Sequence, residues 1–249
     1  MDFFFHFFMK IDDNILPNKF QILNKTKLAY MDIETAKKVA MQLRKPEGEF
    51  GLKIGEKMNE SNAFMNLFTI KNLPIKTDDK ILELGMGNGF FVNEIFKINN
   101  QVSYIGCDFS ELMVMASIST NSNLMRTNDV DFVPASTNQM PFSNAYFDTI
   151  FCINNLYFWE HPEKELAEIK RVIKPMGSII ITIRPRFIME KLPFTPYGFQ
   201  LYSTEELTTL LIKNNFEIVN VLEKDEPAFD IEQNSMPMSL VMVHAKKKA

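Results

Sequence analysis

The chain has 249 residues, 46% of them hydrophobic, and a net charge of −4 from 27 basic and 31 acidic side chains. That size and apolar content support a single large α/β fold with a sizeable core. The acidic balance, with cationic residues scattered apart from Lys246 to Lys248, argues against a nucleic-acid backbone as the main partner.

The aromatic run Phe3 to Met9 has no basic leader and no small-residue cleavage site, and it is too short to span a bilayer. It reads as a tail without stable membrane insertion, an aromatic tip touching a membrane being the alternative. Helical patterns follow over 33–43 and 56–72, parted by a proline- and glycine-bearing break at 44–51. In the second pattern Met58, Phe64, Met65, Leu67 and Phe68 form an apolar face, with Asn59, Ser61 and Asn62 beside it. Packing on a sheet is the expectation for this face, ahead of substrate contact. Residues 1–76 are therefore expected to form a tail and helical cap, and 77–249 the main α/β unit. From Ile81 strands and helices alternate: strand 81–84, helix 90–98, strand 102–107, helix 111–118, strands 130–133 and 147–153, helix 163–173 and strand 178–183. A helix over 204–214 and strands 216–223 and 239–245 complete the chain. Such alternation implies a mainly parallel sheet covered on both faces. Cys107 and Cys152 lie in or beside these strands and read as small core residues, and the distant His6, His161 and His244 lack metal-ligand spacing. No metal is expected, and the cysteine usage fits a cytoplasmic protein.

The most informative stretch is Ile81 to Phe91, an apolar strand that breaks at Gly85, Gly87 and Gly89 and resumes as a helix. Glycines there let a ligand approach the main chain, and the helix start offers unpaired N–H groups. The dinucleotide fingerprint would need a glycine where Phe90 stands. Asp108 ends the next strand pattern and can accept bonds from two ribose hydroxyls, with Phe109 against a purine face. Asp108 and Ser110 can equally cap the following helix.

With Glu83 two residues before Gly85, this turn resembles motif I of the class I S-adenosylmethionine-dependent methyltransferases. The resemblance continues through Asp131 to Phe142, Phe147-Asp148, and Glu165 to Gly177 with its Pro-x-Gly turn, and spans about Asp78 to Leu222. It implies a Rossmann-like, seven-stranded, mainly parallel sheet with one antiparallel edge strand, helices on both faces, and S-adenosylmethionine as cofactor. By that resemblance Glu83, Gly85, Met86, Gly87 and Gly89 hold the methionine part. Asp108 and Phe109 meet the ribose and adenine, Ser136 and Thr137 the adenine edge, and Asn154 follows the fourth strand at the cofactor. Family members usually carry an acid where Ser136 stands and a glycine where Met176 stands.

In open α/β sheets ligands lie beyond the carboxyl ends of the strands. Asn154 and Tyr157 match the ends of an Asn-Pro-Pro-Tyr motif for nitrogen acceptors, but both prolines are missing, which disfavours that reading. Tyr157 and Trp159 fit either a substrate pocket or ordinary packing. The apolar, proline-rich stretch 184–198, with Arg184 and Tyr197 as candidate substrate contacts, reads as a lid or pocket wall. For Arg184 and Arg186 a surface salt bridge is the expected role over an anion site. No side chain stands out as an acid or base, so the catalytic residues stay unassigned. The reading is a methyltransferase acting in line on a small, partly apolar molecule. The alternatives are a nicotinamide-dependent oxidoreductase and a non-catalytic S-adenosylmethionine-binding protein.

Overall fold

The computed structural model describes residues 31–231 and 234–248, so Phe3 to Met9 and His6 lie outside the described residues. Helices α1 (Ile33–Arg44), α2 (Gly48–Ser61) and α3 (Ala63–Lys71) come first. Asp32 caps α1 by accepting the Thr35 N–H at 2.9 Å. The break foreseen over 44–51 is confined to 45–47, because Gly48, at φ 63°, opens α2 instead of interrupting a loop. The helix foreseen over 56–72 is two helices, parted at Asn62, whose φ of −104° and ψ of 6° lie outside the helical range.

The strands are β1 (Lys80–Leu84), β2 (Ser103–Asp108), β3 (Asp129–Pro134), β4 (Phe147–Ile153), β5 (Ile173–Ile183), β6 (Phe216–Ile231) and β7 (Asn234–Lys247), in the order β3-β2-β1-β4-β5-β7-β6. β1 to β5 run parallel and β7 is antiparallel to both its neighbours. The expected antiparallel strand is thus present, one place in from the rim that β6 forms. Strand order reverses between β1 and β4, which opens a crevice at their carboxyl ends.

Alternate residues along each strand feed separate cores on the two faces. Leu82, Leu84, Ile150 and Ile181 join one core, with Val39 of α1 and Ile54 of α2. Ile81, Phe151 and Ile180 join the other, with Met65 and Ile70 of α3. The later helices α4 (Val92–Ile98), α5 (Glu111–Thr120), α6 (Leu124–Thr127), α7 (Pro162–Val172), α8 (Arg186–Met189) and α9 (Thr204–Lys213) connect the strands. Cys107 and Cys152 flank Leu84 from its two neighbouring strands. Two strand spacings separate them by roughly 10 Å, beyond disulfide reach, and both are buried free thiols.

The last hairpin is longer than expected. β5 pairs with β7 only from Ile183↔Val241 to Ser178↔Lys246, while β6 and β7 stay paired out to Ile231↔Asn234. Pro227 is accommodated where the register shifts between Glu226 and Phe229. Among the described residues no helix is long and apolar enough to cross a membrane.

Candidate active site

The glycine turn leaves β1 at the crevice, and its three glycines answer three different constraints. A Cβ on Gly85 would lie 2.2 Å from Asn155 Nδ2, whereas one on Gly87 would meet nothing within 4 Å, so Gly87 faces open space. Gly89 faces away from the cleft, where a Cβ would come within 2.7 Å of Asn121 Nδ2. Behind the turn, Ser117 Oγ of α5 and Nδ2 of Asn121, the residue that ends it, donate to the Gly87 and Gly89 carbonyls at 2.8 and 3.0 Å. The turn is thereby fixed from the rear and open at the front.

In front lies a cleft enclosing about 1260 Å³, its open mouth included, lined by the turn, α2, the ends of β4 and β5, the segment after β5 and the β6–β7 hairpin. Its polar end holds two buried carboxylates. Glu83 accepts the Tyr104 hydroxyl at 2.6 Å. Burial lifts its pKa to about 7, the Tyr104 bond opposing the rise and the Asp108 charge adding to it. Asp108 accepts the N–H groups of Ser110 at 2.9 Å and Gly87 at 3.2 Å. Burial lifts it to about 6 against those bonds and one from the Phe109 N–H. Ser110 itself caps α5, accepting the Met113 N–H at 3.4 Å, so Asp108 is left at the cleft. Met86 also lines this end.

The other end is apolar. Phe199 packs 4.7 Å from Phe158, 5.6 Å from Phe194 and 5.9 Å from Tyr157 between ring centroids, and Met58, Met189 and Met238 complete the wall. The apolar face of the second N-terminal segment is therefore shared: Met65 is core, while Met58 reaches the cleft. Tyr157 is fixed by its hydroxyl, which accepts the Arg184 N–H at 2.6 Å and lies 2.8 Å from the Arg184 carbonyl and 3.1 Å from Asn154 Oδ1. Asn154 holds a left-handed φ of 51° at the end of β4 and donates to Asn62 Oδ1 at 3.2 Å.

Arg184 departs from expectation. Its guanidinium forms a buried, bidentate pair with Glu226, both bonds at 2.8 Å, and also donates to Asn62 Oδ1 at 2.8 Å and the Ser61 carbonyl at 2.9 Å. The exposed pairing foreseen for either arginine belongs to Arg186, with Glu206.

A second cleft adjoins the first, sharing Arg44, Phe109, Asn155 and Phe158. Ser136, Thr137 and Trp159 line it, so Trp159 is separated from the apolar end, and its indole N–H donates to Asn155 Oδ1 at 2.6 Å. Tyr197 lines neither cleft and sits under the Lys37 ammonium, 5.9 Å from its ring centroid. His161 precedes α7 and reaches neither cleft. Asn155, Phe199 and Met238 were not foreseen, whereas Asn62 was named beside the apolar face of the second helical pattern. Asn155 and Phe199 had neighbours that signalled a pocket, whereas Met238 falls in a stretch that reads as loop.

A family described as methyltransferase domain matches residues 82–181. The uncharacterized methyltransferase YdaC of Bacillus subtilis is 30% identical over 129 residues, covering 52% of this chain and 69% of that protein. The ubiquinone/menaquinone biosynthesis C-methyltransferase UbiE of Edwardsiella ictaluri is 24% identical over 176 residues, 68% of each chain. Among solved structures, a SAM-dependent methyltransferase from Aquifex aeolicus shares the fold with a TM-score of 0.61 at 20% identity, over 77% of this chain and 97% of that one. The glycine turn at the reversal of strand order, and a relative that matches at this identity over most of its length, lead to one conclusion: the chain belongs to the class I S-adenosylmethionine-dependent methyltransferases.

Proposed function

We propose that this methyltransferase methylates a small, partly apolar molecule that occupies the aromatic end of the main cleft. The observation that carries the reading is the continuity of that end, walled by Tyr157, Phe158, Phe194 and Phe199, with the glycine turn. S-adenosylmethionine supplies, when bound, a methyl group on a sulfonium. The residues present fit such a ligand, since Gly87 leaves the main chain approachable and two carboxylates lifted by burial favour ammonium and hydroxyl donors.

In this reading Glu83, Gly85, Met86 and Gly87 surround the methionine part, and Gly89 supports the turn from behind. Asp108 accepts the ribose hydroxyls, Phe109 flanks the adenine, and Ser136, Thr137 and Trp159 stand on the adenine side. Asn154, Tyr157 and Arg184 form the wall between cofactor and acceptor. Helices α1 to α3 act as the cap of a catalytic unit over 77–249. Among the described residues no histidine lines either cleft, and in this reading alignment and exclusion of water carry the in-line displacement. An acceptor that ionises by itself, such as a phenol or enol, suits these walls. Relatives named for ubiquinone/menaquinone biosynthesis and cycloartenol C-24 methylation support an apolar acceptor. A tRNA U34 carboxymethyltransferase also matches, over 33% of its length, but a net charge of −4 disfavours RNA. The two buried free thiols support a reducing, cytoplasmic setting.

The test is calorimetry with S-adenosylhomocysteine, NADH as control, followed by transfer of labelled methyl to a panel of quinols, sterols, phenols and RNA. Label entering an apolar small molecule supports the proposal; label entering RNA alone sinks it. Asp108→Ala is expected to weaken S-adenosylhomocysteine binding by about 1–3 kcal/mol.

A further inference from the structure

Glu165 stands in the first turn of α7 and is 5% exposed. It lines the second cleft together with Ser136, Thr137 and Asn138, and its Oε2 is buried without a hydrogen-bond partner. An orphaned buried acceptor is unfavourable and calls for a physical reason. Among the described residues no donor bonds this oxygen. Arg44, the cation of this cleft, is paired with Glu160, and the Ser136 carbonyl is taken by the Gln139 N–H at 3.0 Å. Glu165 therefore stands in the wall of this cleft with one carboxylate oxygen unpartnered, and the same cleft holds Ser136, where the family usually carries an acid.

We propose that Glu165 accepts the hydrogen bond of the adenine amino group, so that the cofactor's base is recognised from α7 and not from the loop after β3. The inference rests on the second cleft being the adenine side. It makes Glu165 a specificity residue, since a 6-oxo base would set a carbonyl against the buried carboxylate and an adenine would not. Burial of Glu165 raises its pKa, with the main-chain N–H groups of Glu165 and His161 opposing the rise.

The experiment compares S-adenosylhomocysteine with S-inosylhomocysteine by calorimetry on the full chain. The unaltered protein is expected to prefer the adenosyl ligand by roughly a hundredfold. Glu165→Gln, whose amide can donate to a 6-oxo group, is expected to weaken the adenosyl ligand and strengthen the inosyl ligand, each about tenfold. Equal binding of the two ligands by the unaltered chain, which needs no variant to fold, overturns the proposal. So does a parallel change, or none, in Glu165→Gln. Asp108→Ala separates the levels: if it weakens binding while Glu165→Gln leaves the preference intact, the cofactor placement stands and the role of Glu165 falls.

Discussion

Glu83 and Asp108 enter the cleft as acids whose values lie near neutrality because burial has removed their water. A carboxyl raised from 4.5 toward 7 binds a proton in the folded chain that the unfolded chain has released. The stability these groups contribute is full below their ordinary values and is lost as pH rises through about 6 and 7. The unliganded protein is expected to melt at lower temperature at pH 7.5 than at pH 5. Binding an ammonium-bearing ligand should release protons in that window, so S-adenosylhomocysteine affinity rises from pH 5 to 8, which calorimetry in buffers of different ionisation heat would detect. Met176 is exposed and holds a φ of 61° where the β4–β5 register shifts between Ile173 and Ser178. Met176→Gly removes the left-handed strain at no packing loss and should raise unfolding free energy by about 0.5–1 kcal/mol in urea titration. At this scale the turn and Asp108 were legible because their chemistry is local in sequence. Arg184 was not, since its partner Glu226 lies 42 residues away across the sheet edge.

Among elements, the seven strands were readable from alternation, because a parallel sheet buried on both faces leaves continuous apolar runs. The break at Asn62 and the outer half of the hairpin were not, since asparagine alone marks no helix end, and charged and proline residues at 224–227 imitate a loop. Those two unforeseen features meet at one point. The Arg184–Glu226 pair ties the end of β5 to the hairpin, and the same guanidinium holds Ser61 and Asn62 at the junction of α2 and α3. Glu226→Ala leaves a buried charge without its carboxylate and is expected to reduce stability by about 3 kcal/mol. The hairpin carries Met238 on the apolar wall, so the acceptor's KM should rise in this variant while S-adenosylhomocysteine affinity changes little.

Across the whole molecule, the N-terminal helices contribute to both cores, α1 and α2 to one face and α3 to the other. Helices so divided share the two cores of the sheet and have none of their own to melt separately. Scanning calorimetry is expected to give one transition with equal calorimetric and van't Hoff enthalpies, and a separate early transition would show the cap to be an independent unit. The central position of Leu84, with a thiol on either side, has a practical outcome. Burial pushes Cys107 up to about 12 and Cys152 higher still, and neither can react as a thiolate while the sheet is closed. The protein thus carries its own clock for sheet opening: the rate at which an alkylating reagent tags these two sulfurs reports excursions of the middle strands, and a ligand that seals the crevice should slow it.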